Sequence, residues 1–383
     1  MSDYHYSLET KVVHGSKGFD AQTGAVSFPI YQSATFRHPG LNETTGYDYS
    51  RLQNPTREEV ENTVADLEGG KRGFAFSCGM AAVTTVLNLF KPGDHIIFSD
   101  DLYGGTYRAI EEVYSQYGIE ASYVDTSDLN IIENSIKPNT KGIFIETPSN
   151  PMMKVTDIEG VSKIAKSKGI ITIIDNTFLT PYFQKPLSLG ADIVVHSGTK
   201  YLGGHNDTLA GFIVVNDDII IERIILIQKC VGSVLSPFDS WLLLRGIKTL
   251  AIRLEKQQEN AKKIADWLKN HPKVEKVYYV GLPEHEGYEI MKKQASGFGA
   301  MISFNVTDAN LVEKILKSLK LIIFAESLGG VESLITYPMV QTHSAIPKEI
   351  RDTLGINERL LRLSVGIENA DDIIKDLQQA LDN

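Results

Sequence analysis

Short apolar runs rich in β-branched residues recur along the chain, separated by segments with helical spacing of apolar positions, such as VSKIAKSKG. The runs are GFAFS (73–77), HIIFSD (95–100), ASYVD (121–125), GIFIETP (142–148), IITIIDNTF (170–178), ADIVVHS (191–197) and GFIVVND (211–217). This alternation predicts an α/β fold with a mostly parallel, seven-stranded sheet that helices cover on both faces.

The pattern changes near residue 240. Residues 240–271 have a nearly uninterrupted helical pattern, and the segments KVEKVYYV, GAMISFNV, NLVEKILKSLK and RLLRLSVGIE then predict a smaller C-terminal α+β domain. The first fifty residues lack clear periodicity, which predicts an arm that lies on another surface. We therefore expect an arm (1–50), an α/β domain (51–240) and an α+β domain (241–383).

Composition narrows the class of protein. A net charge of −10 over 383 residues argues against nucleic-acid and anionic-membrane partners, which need clustered positive charge. The N-terminus does not resemble a secretory signal, and no uncharged apolar stretch approaches the roughly 18 residues of a membrane span. Cys78 and Cys230 form neither a disulfide framework nor a metal-binding spacing. We expect a soluble, cytoplasmic protein without a bound metal.

Candidate chemistry lies at the predicted strand ends, where open α/β sheets place their ligand crevices. Lys200 follows the run ADIVVHS in the segment HSGTKYLGGH. Most lysines in such places are solvated surface residues. A desolvated lysine, however, has a lowered pKa, and its amine is then available for Schiff-base chemistry.

Other strand ends supply complementary groups. Gly79 and Met80 open a predicted helix, which favours phosphate binding, and Asp175 needs a cationic partner such as a protonated ring nitrogen. Tyr103 offers a ring face and an acidic hydroxyl. Each residue alone is more typical of a structural role, but together with Lys200 they predict a pyridoxal phosphate site. No Walker A motif is present, and GFGAM lacks the third glycine of a dinucleotide loop.

Six motifs extend this interpretation across almost the whole chain: YSRLQNPTR, ETPSNP, DNTF, SGTKYLGGH, AESLGGVESL and RLSVGIE. They resemble the motifs of the pyridoxal-phosphate enzymes of Cys/Met metabolism, the cystathionine γ-synthase and γ-lyase group. The resemblance implies a fold-type I transferase-like fold, pyridoxal 5'-phosphate as cofactor, and a homotetramer built as a dimer of dimers.

The resemblance also implies roles for individual residues. Lys200 matches the Schiff-base lysine and, with Tyr103, is a candidate catalytic residue. The implied cofactor-binding residues are Tyr49, Arg51, Gly79, Met80, Tyr103, Asp175, Thr177, Ser197, Thr199 and Lys200. Within this set, Tyr49 and Arg51 are expected to reach into the site of a neighbouring subunit.

The implied substrate-binding residues are Asp48, Asn150, Glu326, Ser327 and Arg362. Arg362 matches an arginine that holds the substrate α-carboxylate through a bidentate fork; without the resemblance, a strand-face arginine in a surface ion pair is the simpler interpretation. Asp48 and Glu326 are expected near the substrate entrance, where they attract a distal amino group.

The expected activity is γ-replacement on O-acetyl- or O-succinylhomoserine with cysteine, which yields cystathionine, with sulfhydrylation as a side activity. Gly105 occupies the place of the cysteine of methionine γ-lyases, and Glu326 that of the tyrosine of β-lyases. The alternatives are a cystathionine γ- or β-lyase and, more remotely, a non-enzymatic or nicotinamide-binding α/β protein.

Overall fold

The computed structural model describes residues 6–344 and 346–382. Each predicted apolar run contributes a strand to the larger sheet: β1 (Arg72–Phe76), β2 (His95–Ser99), β3 (Glu120–Val124), β4 (Thr140–Glu146), β5 (Ile171–Asp175), β6 (Ile193–Ser197) and β7 (Gly211–Val215). The strand order is β1-β7-β6-β5-β4-β2-β3. Strands β3, β2, β4, β5 and β6 are parallel, whereas β7 is antiparallel to both β6 and β1. The predicted mostly parallel, seven-stranded sheet is confirmed.

Helices cover both faces of this sheet. They are α1 (Leu8–His14), α2 (Pro55–Glu68), α3 (Gly79–Leu87), α4 (Gly104–Glu112), α5 (Leu129–Asn134), α6 (Ile158–Ser167), α7 (Thr180–Phe183) and α8 (Asp218–Val231), with 3₁₀ turns at Tyr114–Tyr117 and Pro186–Leu189. Phe98 of β2 shares one buried cluster with Val86 of α3 and Ile224 of α8. Its neighbour Ile97 shares another with Val161 of α6. Because successive strand residues point to opposite faces, the apolar runs are buried on both sides.

The C-terminal part forms a second, smaller sheet. Its strands are β8 (Val274–Tyr278), β9 (Met301–Val306), β10 (Ile323–Phe324), β11 (Leu334–Thr336) and β12 (Leu360–Ser364), in the order β10-β11-β12-β9-β8. The accompanying helices are α9 (Pro237–Ile247), α10 (Leu250–Lys269), α11 (Tyr288–Gln294), α12 (Asn310–Ser318), α13 (Lys348–Leu354) and α14 (Ala370–Asp382). The expected boundary at residues 240–241 falls inside α9, and the exact division of the chain stays a prediction.

The long helix expected over residues 240–271 is divided into α9 and α10. The Thr249 hydroxyl and the Arg253 guanidinium donate hydrogen bonds to the Gly246 carbonyl, at 3.1 and 2.9 Å. Gly246 also lies against the Gly203 carbonyl, which a Cβ at this position would approach to 2.2 Å. Side chains thus satisfy the carbonyl where the helix ends, and the periodic pattern alone could not reveal this break.

The N-terminal arm has little core of its own. Val12 of α1 is buried, but Val26 and Leu41 are 77% and 93% exposed. Their exposure is compatible with an arm that lies on another copy of the chain, which stays a prediction. Within residues 6–344 and 346–382, none of the helices has the length and apolar character needed to cross a membrane.

Candidate active site

A cavity lies at the carboxyl ends of the parallel strands, where the smaller sheet approaches the larger one. Twelve of the predicted site residues line it: Gly79, Met80, Tyr103, Asn150, Asp175, Thr177, Ser197, Thr199, Lys200, Glu326, Ser327 and Arg362. They come from strand ends and helix starts that are far apart in sequence. The parallel topology brings those of the larger sheet together at one edge, as expected for a ligand site of an α/β sheet, and Glu326, Ser327 and Arg362 reach this edge from the C-terminal part of the chain.

Lys200 lies three residues beyond β6, with its amine inside the cavity. Its Nζ donates a hydrogen bond to the Ser327 hydroxyl at 2.8 Å. Burial, reinforced by the nearby charge of Arg362, lowers the pKa of Lys200 to about 8. Ser327 has a φ of 97°, a conformation that non-glycine residues seldom adopt and that concentrates at functional sites. A far larger fraction of Lys200 than of an ordinary lysine is therefore neutral, and nucleophilic, near neutral pH.

Asp175 ends β5 and faces the cavity. The Thr177 amide and hydroxyl both donate to its Oδ1, at 3.0 and 2.5 Å. Burial raises the pKa of Asp175, which the hydrogen bonds from Thr177 oppose. On the other face of the sheet, the buried His196 Nε2 lies 2.7 Å from Glu68 Oε1. The Asp175 carboxylate, held by the two hydrogen bonds from Thr177, suits a cationic ring nitrogen.

The first turn of α3 lies at the cavity, where the phosphate cradle is expected. Its opening amides have no partner within the helix, so they are available to an anion. A Cβ at Gly79 would approach the Ser197 Cβ to 2.9 Å, so only glycine leaves this backbone as close to Ser197 as it is. The Thr199 hydroxyl accepts from the Ala210 amide at 3.0 Å and lines the same cavity. This donor set fits a phosphate group.

Arg362 lies on β12 and is fully buried, which corrects the simpler interpretation of a surface strand arginine. Its guanidinium donates to Asn150 Oδ1 at 2.8 Å, to the Ser327 carbonyl at 3.0 Å and to Thr336 Oγ1 at 3.1 Å. Its Nε has no hydrogen-bond partner among the described residues. Burial lowers the pKa of Arg362 to about 10, so the group stays cationic near neutral pH. A buried cation with an unused donor suits a substrate carboxylate.

Tyr103 and Glu326 lie at the open side of the cavity. Tyr103 is 40% exposed, and burial of its hydroxyl, together with the charge of Glu326, raises its pKa. Gly105 lies directly beneath the tyrosine ring: a Cβ there would come within 2.4 Å of Cε1. Because glycine has no Cβ, Gly105 leaves room for the Tyr103 ring in its observed position.

Three predicted residues lie outside this cavity. The Arg51 guanidinium donates to the Lys229 carbonyl at 2.6 Å and lies 5.6 Å from the Tyr49 ring centre. Asp48 lies 3.3 Å from His38 Nε2 in the exposed arm. The chain's own fold does not bring these side chains to the site, and their contribution to a neighbouring copy stays a prediction.

Glu146 is a cavity residue that sequence reasoning missed. It ends β4 inside the quoted motif ETPSNP, is 8% exposed and lines the cavity beside Asp175. The signal was available, because a carboxylate that follows the buried run GIFI meets the same criterion that identified Asp175.

Comparison with known proteins identifies the family of this chain. The profile of the Cys/Met metabolism PLP-dependent enzyme family matches residues 9–382. The chain belongs to this family. Pyridoxal phosphate is therefore its cofactor, and the cradle at Gly79, the carboxylate of Asp175 and the amine of Lys200 fit that group.

Relatives of this chain have several activities. A cystathionine β-lyase of Lactococcus lactis subsp. cremoris is 52% identical over 376 residues, covering 98% of this chain and 99% of the relative. A cystathionine γ-synthase/O-acetylhomoserine (thiol)-lyase of Bacillus subtilis (strain 168) is 50% identical, with coverage of 98% and 96%. A crystal structure of cystathionine γ-lyase from Lactobacillus plantarum, complexed with L-serine, matches with a TM-score of 0.96 and 47% identity, covering 98% of this chain and 99% of that one. The chain is similar to synthases and lyases alike.

The lowered pKa of Lys200 predicts how cofactor loading depends on pH. Only the neutral amine attacks an aldehyde, so the loading rate of cofactor-free protein should rise as pH increases through about 8 and level off above it. Stopped-flow absorbance after mixing with pyridoxal phosphate measures this rate. A lysine model compound, whose rate should rise only near pH ~10.4, is the control. Coincident profiles for the protein and the compound would contradict the prediction.

Proposed function

We propose that this enzyme is a cystathionine γ-synthase, which exchanges the acyloxy group of an O-acylhomoserine for the sulfur of cysteine. The Cγ–O bond breaks and the acyl group leaves as a carboxylate. The Cγ–S bond forms and the thiol proton passes to solvent. The observation that supports this proposal is the pair of opposite charges across the cavity: Arg362 suits an α-carboxylate, and Glu326 suits the ammonium of an incoming amino acid.

The groove outside the cavity favours an uncharged acyl group. Besides Glu326, it is lined by Asp207, Asp239 and Glu332. A succinyl group would bring its free carboxylate into this acidic surface, whereas an acetyl group carries no charge. We therefore propose O-acetylhomoserine as the donor and cysteine as the acceptor.

The roles of the chain's own residues follow from their positions. When bound, pyridoxal phosphate supplies an electron-accepting ring that stabilises negative charge at Cα of the amino acid. Lys200 would take the Cα proton and move protons at Cβ, since its amine lies inside the cavity and its pKa is lowered to about 8. Asp175 would pair with the ring nitrogen, and Gly79 with Ser197 would hold the phosphate.

We also propose a homotetramer, a dimer of dimers in which Tyr49 and Arg51 complete the phosphate pocket of a neighbouring subunit. Tyr49 belongs to the largely exposed arm and Arg51 directly follows the arm, and the arginine has no phosphate-directed position within its own chain. The proposal gives the arm a surface to lie on and the phosphate pocket a cation, Arg51 of the neighbouring copy.

Cystathionine γ-lyase is the second candidate. The same anchors suit cystathionine itself, which has an α-carboxylate at one end and a distal ammonium at the other. In that reaction water and cystathionine give cysteine, 2-oxobutanoate and ammonia. The similarity to the Lactobacillus plantarum γ-lyase favours this candidate.

Product analysis distinguishes the candidates. We expect cystathionine by mass spectrometry from O-acetylhomoserine with cysteine, more slowly from the O-succinyl donor, and little turnover of cystathionine alone. Release of 2-oxobutanoate from cystathionine, with no thioether formed from either donor, would establish the γ-lyase instead. Homocysteine with pyruvate would indicate a β-lyase. Absence of all these products would contradict both candidates.

A further inference from the structure

Two carboxyl groups lie side by side at the edge of the larger sheet. Glu146 of β4 and Asp175 of β5 are direct partners in the register of these parallel strands. Paired residues on neighbouring strands point to the same face, with backbones about 4.8 Å apart. Both side chains accordingly line the one cavity. Two adjacent anions in such a place repel each other, so one of the two retains a proton.

The surroundings decide which carboxyl group is ionised. Asp175 Oδ1 accepts two hydrogen bonds, from the amide and the hydroxyl of Thr177. Glu146 Oε2 accepts one, from the Tyr103 amide at 2.8 Å. Hydrogen bonds donated to a carboxylate stabilise its ionised form, so the better-solvated charge is that of Asp175.

Other charged groups that face Glu146 mostly favour its neutral form. Burial and the neighbouring Asp175 raise the pKa of Glu146 well above its usual value, and the buried Asp101 in the loop after β2 acts in the same direction. Arg362 on β12 opposes them, but three of its hydrogen bonds are directed at Asn150, Ser327 and Thr336. The balance leaves the proton on Glu146.

We propose that Glu146 is a neutral carboxylic acid in the working enzyme, a positioning residue that leaves Asp175 as the single anion of this edge. Glu146 lies between two candidate cofactor-binding residues. It accepts a hydrogen bond from the Tyr103 amide, and it stands beside Asp175. A neutral Glu146 places no second negative charge beside Asp175. This inference rests on the placement of the cofactor proposed above.

Two variants separate a neutral acid from an ionised one. Glu146→Gln keeps the shape and an acceptor for the Tyr103 amide but has no charge, so it mimics the protonated acid. Glu146→Ala removes the acceptor as well. We expect the cofactor dissociation constant, measured by absorbance titration, to stay within about 2-fold in Glu146→Gln and to rise roughly 10-fold in Glu146→Ala. Rescue by glutamine is the signature of a neutral group.

Infrared difference spectroscopy reads the protonation state directly. Subtracting the spectrum of Glu146→Gln from that of the wild type at neutral pH should reveal the band of one protonated carboxylic acid. A carboxylate band instead, or a Glu146→Gln variant that is folded but binds the cofactor as poorly as Glu146→Ala, would overturn the inference. So would normal binding by Glu146→Ala. Failure of the wild type to bind the cofactor would reject the proposed function instead, while the infrared measurement remains readable on the cofactor-free protein.

Discussion

Replacement of Lys200 by alanine is expected to lower kcat/KM by at least ~10³-fold, the largest effect at any single position of this chain. The Lys200 amine combines nucleophilic character with a pKa of about 8. In the proposed mechanism, its loss would remove both the covalent attachment of the cofactor and the base that moves protons at Cα and Cβ. Steady-state kinetics with the substrate identified by product analysis, together with the visible spectrum of the purified protein, measure the two losses.

The protein should remain folded, because the described contact of the Lys200 amine is a single hydrogen bond to Ser327. Lys163→Ala is a matched control: this lysine lies on the exposed surface of α6, paired with Glu159. We expect its kcat/KM to stay within about 2-fold of wild type, since exposed pairs contribute little. If Lys200→Ala kept more than a tenth of the wild-type value, Lys200 would not be the base.

The strands and the strand-end residues were predictable from the sequence for a physical reason. A strand buried on both faces must be apolar along its length, so a polar residue at its end stands out, and parallel topology then brings such ends to one edge. Lys200, Asp175 and Gly79 were found in this way. Glu146 satisfies the same rule and was missed, because its motif was interpreted as a whole and not residue by residue.

Other features depend on contacts that the local pattern does not contain. The burial of Arg362 is created by partners more than twenty residues away, the nearest being Thr336 on the adjacent strand. The end of α9 depends on Gly203, which belongs to the loop after β6. Residues of the arm, such as Tyr49, require a second chain before their role can be tested.

Arg362 is the position where the second-largest effect is expected. Its guanidinium is held by Asn150, Ser327 and Thr336, which leaves Nε unpaired among the described residues. A lysine at position 362 would retain the positive charge. Its ammonium group could not reproduce the planar guanidinium, which several hydrogen-bond partners hold in place. Removing the charge altogether would leave buried acceptors without a donor and endanger folding, so lysine is the more informative replacement.

Arg362→Lys should lower kcat/KM for the amino-acid substrate by ~10²-fold, while the visible absorbance of the bound cofactor stays unchanged. Arg359→Lys, at a half-buried residue just before β12 that pairs with Glu275, should remain within about 2-fold of wild type. Binding of the substrate α-carboxylate by Arg362 has a more specific test. The wild type should prefer the substrate strongly over its decarboxylated analogue, and Arg362→Lys should lose most of that preference, because the missing contact is made only by the carboxylate. An unchanged preference ratio would mean that Arg362 supports the fold of the cavity and that another group binds the carboxylate.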